Sequence, residues 1–131
     1  MISIAIAVAL ASATNPKVPC GAEPAEAAAW VSLLDQRHWD ESWAAAGPLF
    51  KSQTPQARWA SIIEPVREPL GAVSSRAVQS VTNASSLPGV PDGQYQVVKF
   101  HTSFAHKKGA TETVVLACEP SGWKVSGYFI R

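Results

Sequence analysis

Charge is scarce in this chain, and what there is balances. Only 16% of its 131 residues are Asp, Glu, Lys or Arg, and the formal net charge is +1. The 11 basic residues are scattered, which excludes the electrostatic footprint of a nucleic-acid or anionic-lipid binder. The longest apolar run falls well short of the ~20 residues that a membrane helix needs, which argues against stable membrane insertion. Histidine is limited to His38, His101 and His106. His38 stands alone at a helix end, and an odd spacing puts His101 and His106 on opposite faces of a strand, unable to share a metal. No serine sits in a G-x-S-x-G context, and neither a P-loop nor a G-x-G-x-x-G is present. No catalytic, cofactor-binding or metal-ligating residues are assigned, and no cofactor is expected.

Cysteine is limited to Cys20 and Cys118. In an oxidising compartment such a pair can be bridged, closing a loop of about 100 residues. Spacing alone does not say whether the two Cα atoms come close enough.

The other features point to export. Ile2 to Ala11 is a nearly unbroken apolar run followed by Ala11-Ser12-Ala13, a small-x-small site, although no Lys or Arg precedes it. Residues 1–13 read as a secretory signal peptide, and cleavage would leave Thr14 first. A lipoprotein is rejected because Pro19, not a small residue, precedes Cys20. Residues 14–22 form an extended lead-in, and residues 23–131 a single α+β domain.

Within that domain the period changes from helical to alternating. Pro24 suits the first position of a helix, and Ala27, Trp30, Val31 and Leu34 mark its apolar face. Asp40 is the expected N-cap of a second helix, "DESWAAAGPLF", which Gly47-Pro48 breaks or kinks. Thr54-Pro55 opens a third, with Trp59, Ile62, Ile63 and Val66 facing the core. Four strands follow: "AVSSRAVQSVT" at an edge, "QYQVVKFHTSF", "TETVVLACE" and "GWKVSGYFI". "LPGVPDG" is a loop, "HKKGA" a turn, and Glu119 to Gly122 a type I turn. Alternation puts Trp123, Val125 and Phe129 on one face of the last strand, and Tyr128 and Ile130 on the other. About three helices packed on a four-stranded antiparallel meander make an α+β architecture.

"AAWVSLLDQRHWDESW", "PLFKSQTPQARW", "REPLGAVSSR", "LPGVPDGQYQVVKFHTSF" and "GWKVSGYFI" together resemble a bacterial exported family, domain of unknown function 4019, from about residue 25 onward. The order of elements is similar to that of the nuclear transport factor 2-like (cystatin-like) cone folds, which implies a curved, cone-like sheet around a helix. The resemblance implies periplasmic or secreted localisation and no assigned activity, so it carries no site residues with it.

Five tryptophans are many for this length. Packing helices against the sheet is the preferred reading, because each ring buries about 150–250 Å². The functional reading is an aromatic cleft, with Trp43, Trp59, Phe100 and Phe129 as candidate lining residues. Arg67 and Arg76 are expected to cover the helix-to-strand corner with their stems rather than bind an anion. The expected function is an exported, non-catalytic domain that binds a small apolar ligand or a protein partner. One alternative is an isomerase- or dehydratase-like enzyme of the cone-fold type, which needs a buried His or carboxylate with a shifted pKa at the base of a pocket. The other is a module that dimerises through its sheet face.

Overall fold

The computed structural model describes residues 20–131. The expected signal peptide and residues 14–19 of the lead-in lie outside the described residues. The described residues begin with four α-helices: α1 (Ala25–Asp35), α2 (Trp39–Ala45), α3 (Pro48–Gln53) and α4 (Gln56–Arg67). A 3-10 turn (Glu68–Leu70) then leads into β1 (Val73–Ala84), β2 (Tyr95–Phe104), β3 (Lys107–Glu119) and β4 (Gly122–Ile130). The strands form one antiparallel sheet in chain order, a meander.

The described residues hold four α-helices rather than three because Gly47 takes an extended conformation and Pro48 starts a new helix. Proline's fixed φ suits that first position, and its missing N–H costs nothing there. Three local expectations are corrected. His38, not Asp40, precedes α2, and Asp40 lies in its first turn. Pro55, not Thr54, precedes α4, with no side-chain cap. Helix α4 turns only Trp59, Ile63 and Arg67 inward, each four residues after the last, while Ile62 and Val66 are exposed. In addition, the turn before β3 is tighter than "HKKGA": Lys107 already pairs with Phe104.

The helices cover one face of the sheet. Val98, Phe100, Thr102 and Phe104 of β2 point to that face, as do Ala110, Glu112, Val114 and Leu116 of β3, and all are buried. With Trp30, Val31, Leu34, Phe50, Trp59 and Ile63 from the helices, Val98, Phe100, Val114 and Leu116 make the core cluster. The opposite, outer face carries Val97, Lys99, His101, Thr113 and Val115.

A bulge in β4 changes which residues reach each face. Leu116 pairs with Val125 and Val115 with Gly127, so Ser126 is an extra residue. Alternation is inverted beyond it. Trp123 and Val125 point to the core, but so does Tyr128, and Phe129 stands outside at 62% exposure. The expected grouping of Phe129 with Trp123 and Val125 is therefore corrected.

The start of the described chain is fastened to the end of the sheet. Cys20 and Cys118 form a disulfide, with Cα atoms 5.9 Å apart. Trp123 Nε1 donates to Gly21 O at 2.7 Å and Gln96 Nε2 to Ala22 O at 3.1 Å. Among the described residues, no helix is long and apolar enough to cross a membrane.

Candidate functional site

The space between helices and sheet is filled by aromatic rings from four elements. Trp30 of α1 lies 5.9 Å from Phe50 of α3, 6.2 Å from Trp59 of α4 and 5.6 Å from Tyr128 of β4, centroid to centroid. Phe50 meets Trp59 edge-on at 4.8 Å. These separations fall in the range where edge and tilted ring contacts are favourable. Two indoles then need acceptors, and Ser42 of α2 serves both. Trp30 Nε1 donates to Ser42 O at 2.8 Å, and Trp59 Nε1 to Ser42 Oγ at 2.9 Å. The Ser42 hydroxyl passes its own proton to Trp39 O at 2.6 Å.

Beside this cluster lies a polar network that the helical and strand periods conceal. Asp35 ends α1, Arg67 ends α4, Arg76 is on β1, and Glu112 is on the helix-facing side of β3. Arg76 grips Asp35 with two nitrogens, Nη1 to Oδ2 at 2.6 Å and Nη2 to Oδ1 at 2.9 Å. Its Nε donates to Glu112 Oε1 at 2.8 Å. Arg67 Nη2 donates to Asp35 Oδ1 at 2.7 Å. Glu112, 0% exposed, also accepts from Thr102 Oγ1 at 2.6 Å on Oε1 and from the Tyr128 hydroxyl on Oε2. The guanidinium of Arg67 lies 5.0 Å above the Phe104 ring, and that of Arg76 lies 5.9 Å from Phe100. Both arginines thus use planar heads to reach carboxylate and ring at once, which a lysine cannot do.

Burial by itself raises the pKa of Asp35, but the hydrogen bonds from Arg76 and Arg67 outweigh it, so the carboxyl titrates below its usual value. For Arg76, burial works against the charge, and bonds to Asp35 and Glu112 more than restore it. Burial, then the adjacent Glu112 charge, pushes the Tyr128 hydroxyl well above its ordinary value. Both carboxylates have donors on both oxygens, and the arrangement ties helices to sheet.

The outer face offers a different kind of place. The loop between β1 and β2 folds back beside β4, and Gly93 N donates to Ser85 O at 3.0 Å across its base. Gly89, at φ +81°, takes a backbone shape that residues with a Cβ rarely adopt. Between this loop and the sheet is a groove of about 500 Å³. Leu87, Pro88 and Val90 form one wall, Val115, Gly127 and Phe129 the floor, and Gln53 of α3 reaches its rim. The bulge at Ser126 builds this site, since without it Phe129 would point into the core.

The four residues expected to line a cleft therefore separate. Trp59 and Phe100 are core side chains at 6% and 2% exposure, on the helix-covered face. Trp43 packs against the edge of the core, donates from Nε1 to Thr54 O at 2.7 Å and carries the Lys51 ammonium 5.0 Å over its ring. Phe129 is on the other side of the sheet, in the outer groove. Arg67 and Arg76 do meet at one corner, but around Asp35 rather than merely as covering stems. Glu112 and Tyr128 were not singled out from the sequence. Glu112 was recognisable as a charge set in phase between Ala110 and Val114. His38, His101 and His106 are all exposed. Among the described residues, no group of three or more His, Cys, Asp or Glu is placed to hold a metal ion.

A family model described as protein of unknown function (DUF4019) matches residues 26–128, and the chain belongs to that family. No curated protein and no solved structure matches it.

Proposed function

We propose that this member of the family is an exported, non-catalytic binding domain, and that it holds a small apolar molecule in the groove on the outer face of its sheet. The observation that carries the reading is Phe129, an aromatic side chain 62% exposed on the floor of a concave, mostly apolar surface. An exposed ring costs solvation unless something covers it. The volume of about 500 Å³ lies within the roughly 300–1,000 Å³ usual for small-molecule sites. The cleft between helices and sheet is the weaker candidate, since Trp30, Phe50, Trp59 and Tyr128 occupy it. A binding role fits better than catalysis because Glu112, the buried carboxylate, has both oxygens engaged. The export reading rests on the apolar start of the sequence, together with a disulfide that needs oxidising surroundings.

Titration with the fluorescent apolar probe 1-anilinonaphthalene-8-sulfonate tests the site. Saturable, one-to-one enhancement is expected, and Phe129→Ser should weaken it at least tenfold without lowering thermal stability. Absence of saturation, or equal binding by Phe129→Ser, would sink the reading.

A further inference from the structure

Among the described residues, the large apolar side chains left exposed apart from Phe129 are Ile62, Val66, Val78 and Val81, at 38–48% exposure. All four belong to α4 and β1. Val78 pairs with Phe100 and Val81 with Val98, both core residues, so the two valines point to the helix-covered side of the sheet. They remain uncovered because β1 is the outermost strand. The C-terminal end of α4 comes near this strand: its last residue, Arg67, and Arg76 on β1 reach the same Asp35 carboxylate. Ile62 and Val66 lie one turn apart beside its inward stripe. Exposed apolar side chains thus occur both on the helix layer and on the outermost strand.

The backbone of that strand is also open. Strand β1 is 12 residues long and pairs only with β2, and its one charged side chain, Arg76, is turned inward to Asp35 and Glu112. It has no Pro, Lys, Asp or Glu, the residues that ordinarily blunt an edge. Bulges at Ser74 and Gln79 interrupt it, but Ser80 to Ala84 pairs without a break with Lys99 to Tyr95. The opposite edge differs, for Gly47 N already donates to Val125 O at 2.9 Å and Ser126 bulges next to it.

We infer that this β1 edge is the contact surface for a second copy of the chain, two of them meeting antiparallel about a two-fold axis. An antiparallel edge pair is self-complementary under that symmetry and needs no other component. No charge projects from β1 to select a charged partner. The size is adequate: a 12-residue strand is about 40 Å long, and two layers about 20 Å deep make about 800 Å² per partner, the area of a standard stable interface. The two apolar pairs would then cover each other across the axis.

Sedimentation velocity from micromolar to near-millimolar concentration tests this. The wild type should pass from monomer to twice the chain mass. Val78→Lys/Val81→Lys should remain monomeric throughout, with unchanged thermal stability, since both positions are exposed. Ile62→Glu, on the other layer, should weaken association at least tenfold. A wild type that stays monomeric over the whole range, or a dimer that survives the double Lys variant, overturns the proposal. So does a dimer abolished by Phe129→Ser but not by the β1 changes, which would assign the contact to the groove instead.

Discussion

Glu112 gives the sharpest test of what holds the two layers together. Its carboxylate is fully buried and accepts from Arg76, Thr102 and Tyr128. Glu112→Met keeps the length of the side chain, so little cavity opens and the effect isolates the polar contacts. It leaves the Arg76 Nε and two hydroxyls without their acceptor in a dry place. Removing one partner of a buried ion pair typically costs about 3–5 kcal/mol. Glu112→Gln should be milder. Its amide oxygen still serves Arg76 and Thr102, and Tyr128 can turn its hydroxyl to accept from the amide nitrogen. Only the charge-assisted part is lost, about 1–2 kcal/mol. Urea unfolding followed by circular dichroism reads both values. With a slope of about 1–2 kcal/mol per molar, Met should lower the midpoint by about 1.5 M or more. Arg76→Met/Glu112→Met should lose less than the sum of its single changes, because each removes the other's unmet need. A Met variant that loses under about 1 kcal/mol, or that matches Gln, would refute the account and demote the network to solvated decoration.

Two further outcomes follow from the same structure. Cys20 and Cys118 are 98 positions apart, so reduction should cost up to about 4.7 kcal/mol in the chain-entropy description. On the export reading proposed from the sequence, chain recovered from a bacterial periplasm should begin at Thr14 with the bridge formed; a retained residue 1, or an equal melting temperature with and without reductant, would contradict export or the role of the bridge. Stability should also fall at both pH extremes. Asp35 titrates lower when folded, so its contribution is complete above about pH 4 and is lost as pH falls through the folded value. Tyr128 titrates higher when folded, so its contribution is complete below about pH 10 and is lost as pH rises beyond that. Tyr128→Phe should flatten the alkaline decline in urea midpoints; an unchanged slope would exclude Tyr128 as its source.

How far the sequence could be read depended on whether a feature was local. The α+β order, the meander and the Gly47-Pro48 break all rest on nearby turn residues and on period, and these were legible. The face of Phe129 was not, because one inserted residue, Ser126, inverts everything after it and alternation shows no mark of a bulge. Ile62 and Val66 misled because helical spacing gives an apolar arc without saying how much of it a neighbour covers. The Asp35–Arg67–Arg76–Glu112 network joins four elements, and its members lie 32 to 41 positions apart in the Asp35–Arg67, Arg76–Glu112 and Asp35–Arg76 pairs. No spacing rule reaches that far. Its traces were nevertheless present as charges set within apolar stripes, Arg67 after Trp59 and Ile63, and Glu112 between Ala110 and Val114.

The sulfur bridge has a mechanical consequence. If the molecule is stretched between Cys20 and Arg131, tension crosses directly from Cys20 to Cys118 and bypasses everything enclosed between them. Helices α1 to α4 and nearly all of the first three strands lie in that slack loop, and of the described elements only β4 can be peeled away, releasing at most about 45 Å of chain. With the bridge reduced, the same pull would load α1 as well as β4, and the elements between them would no longer be spared.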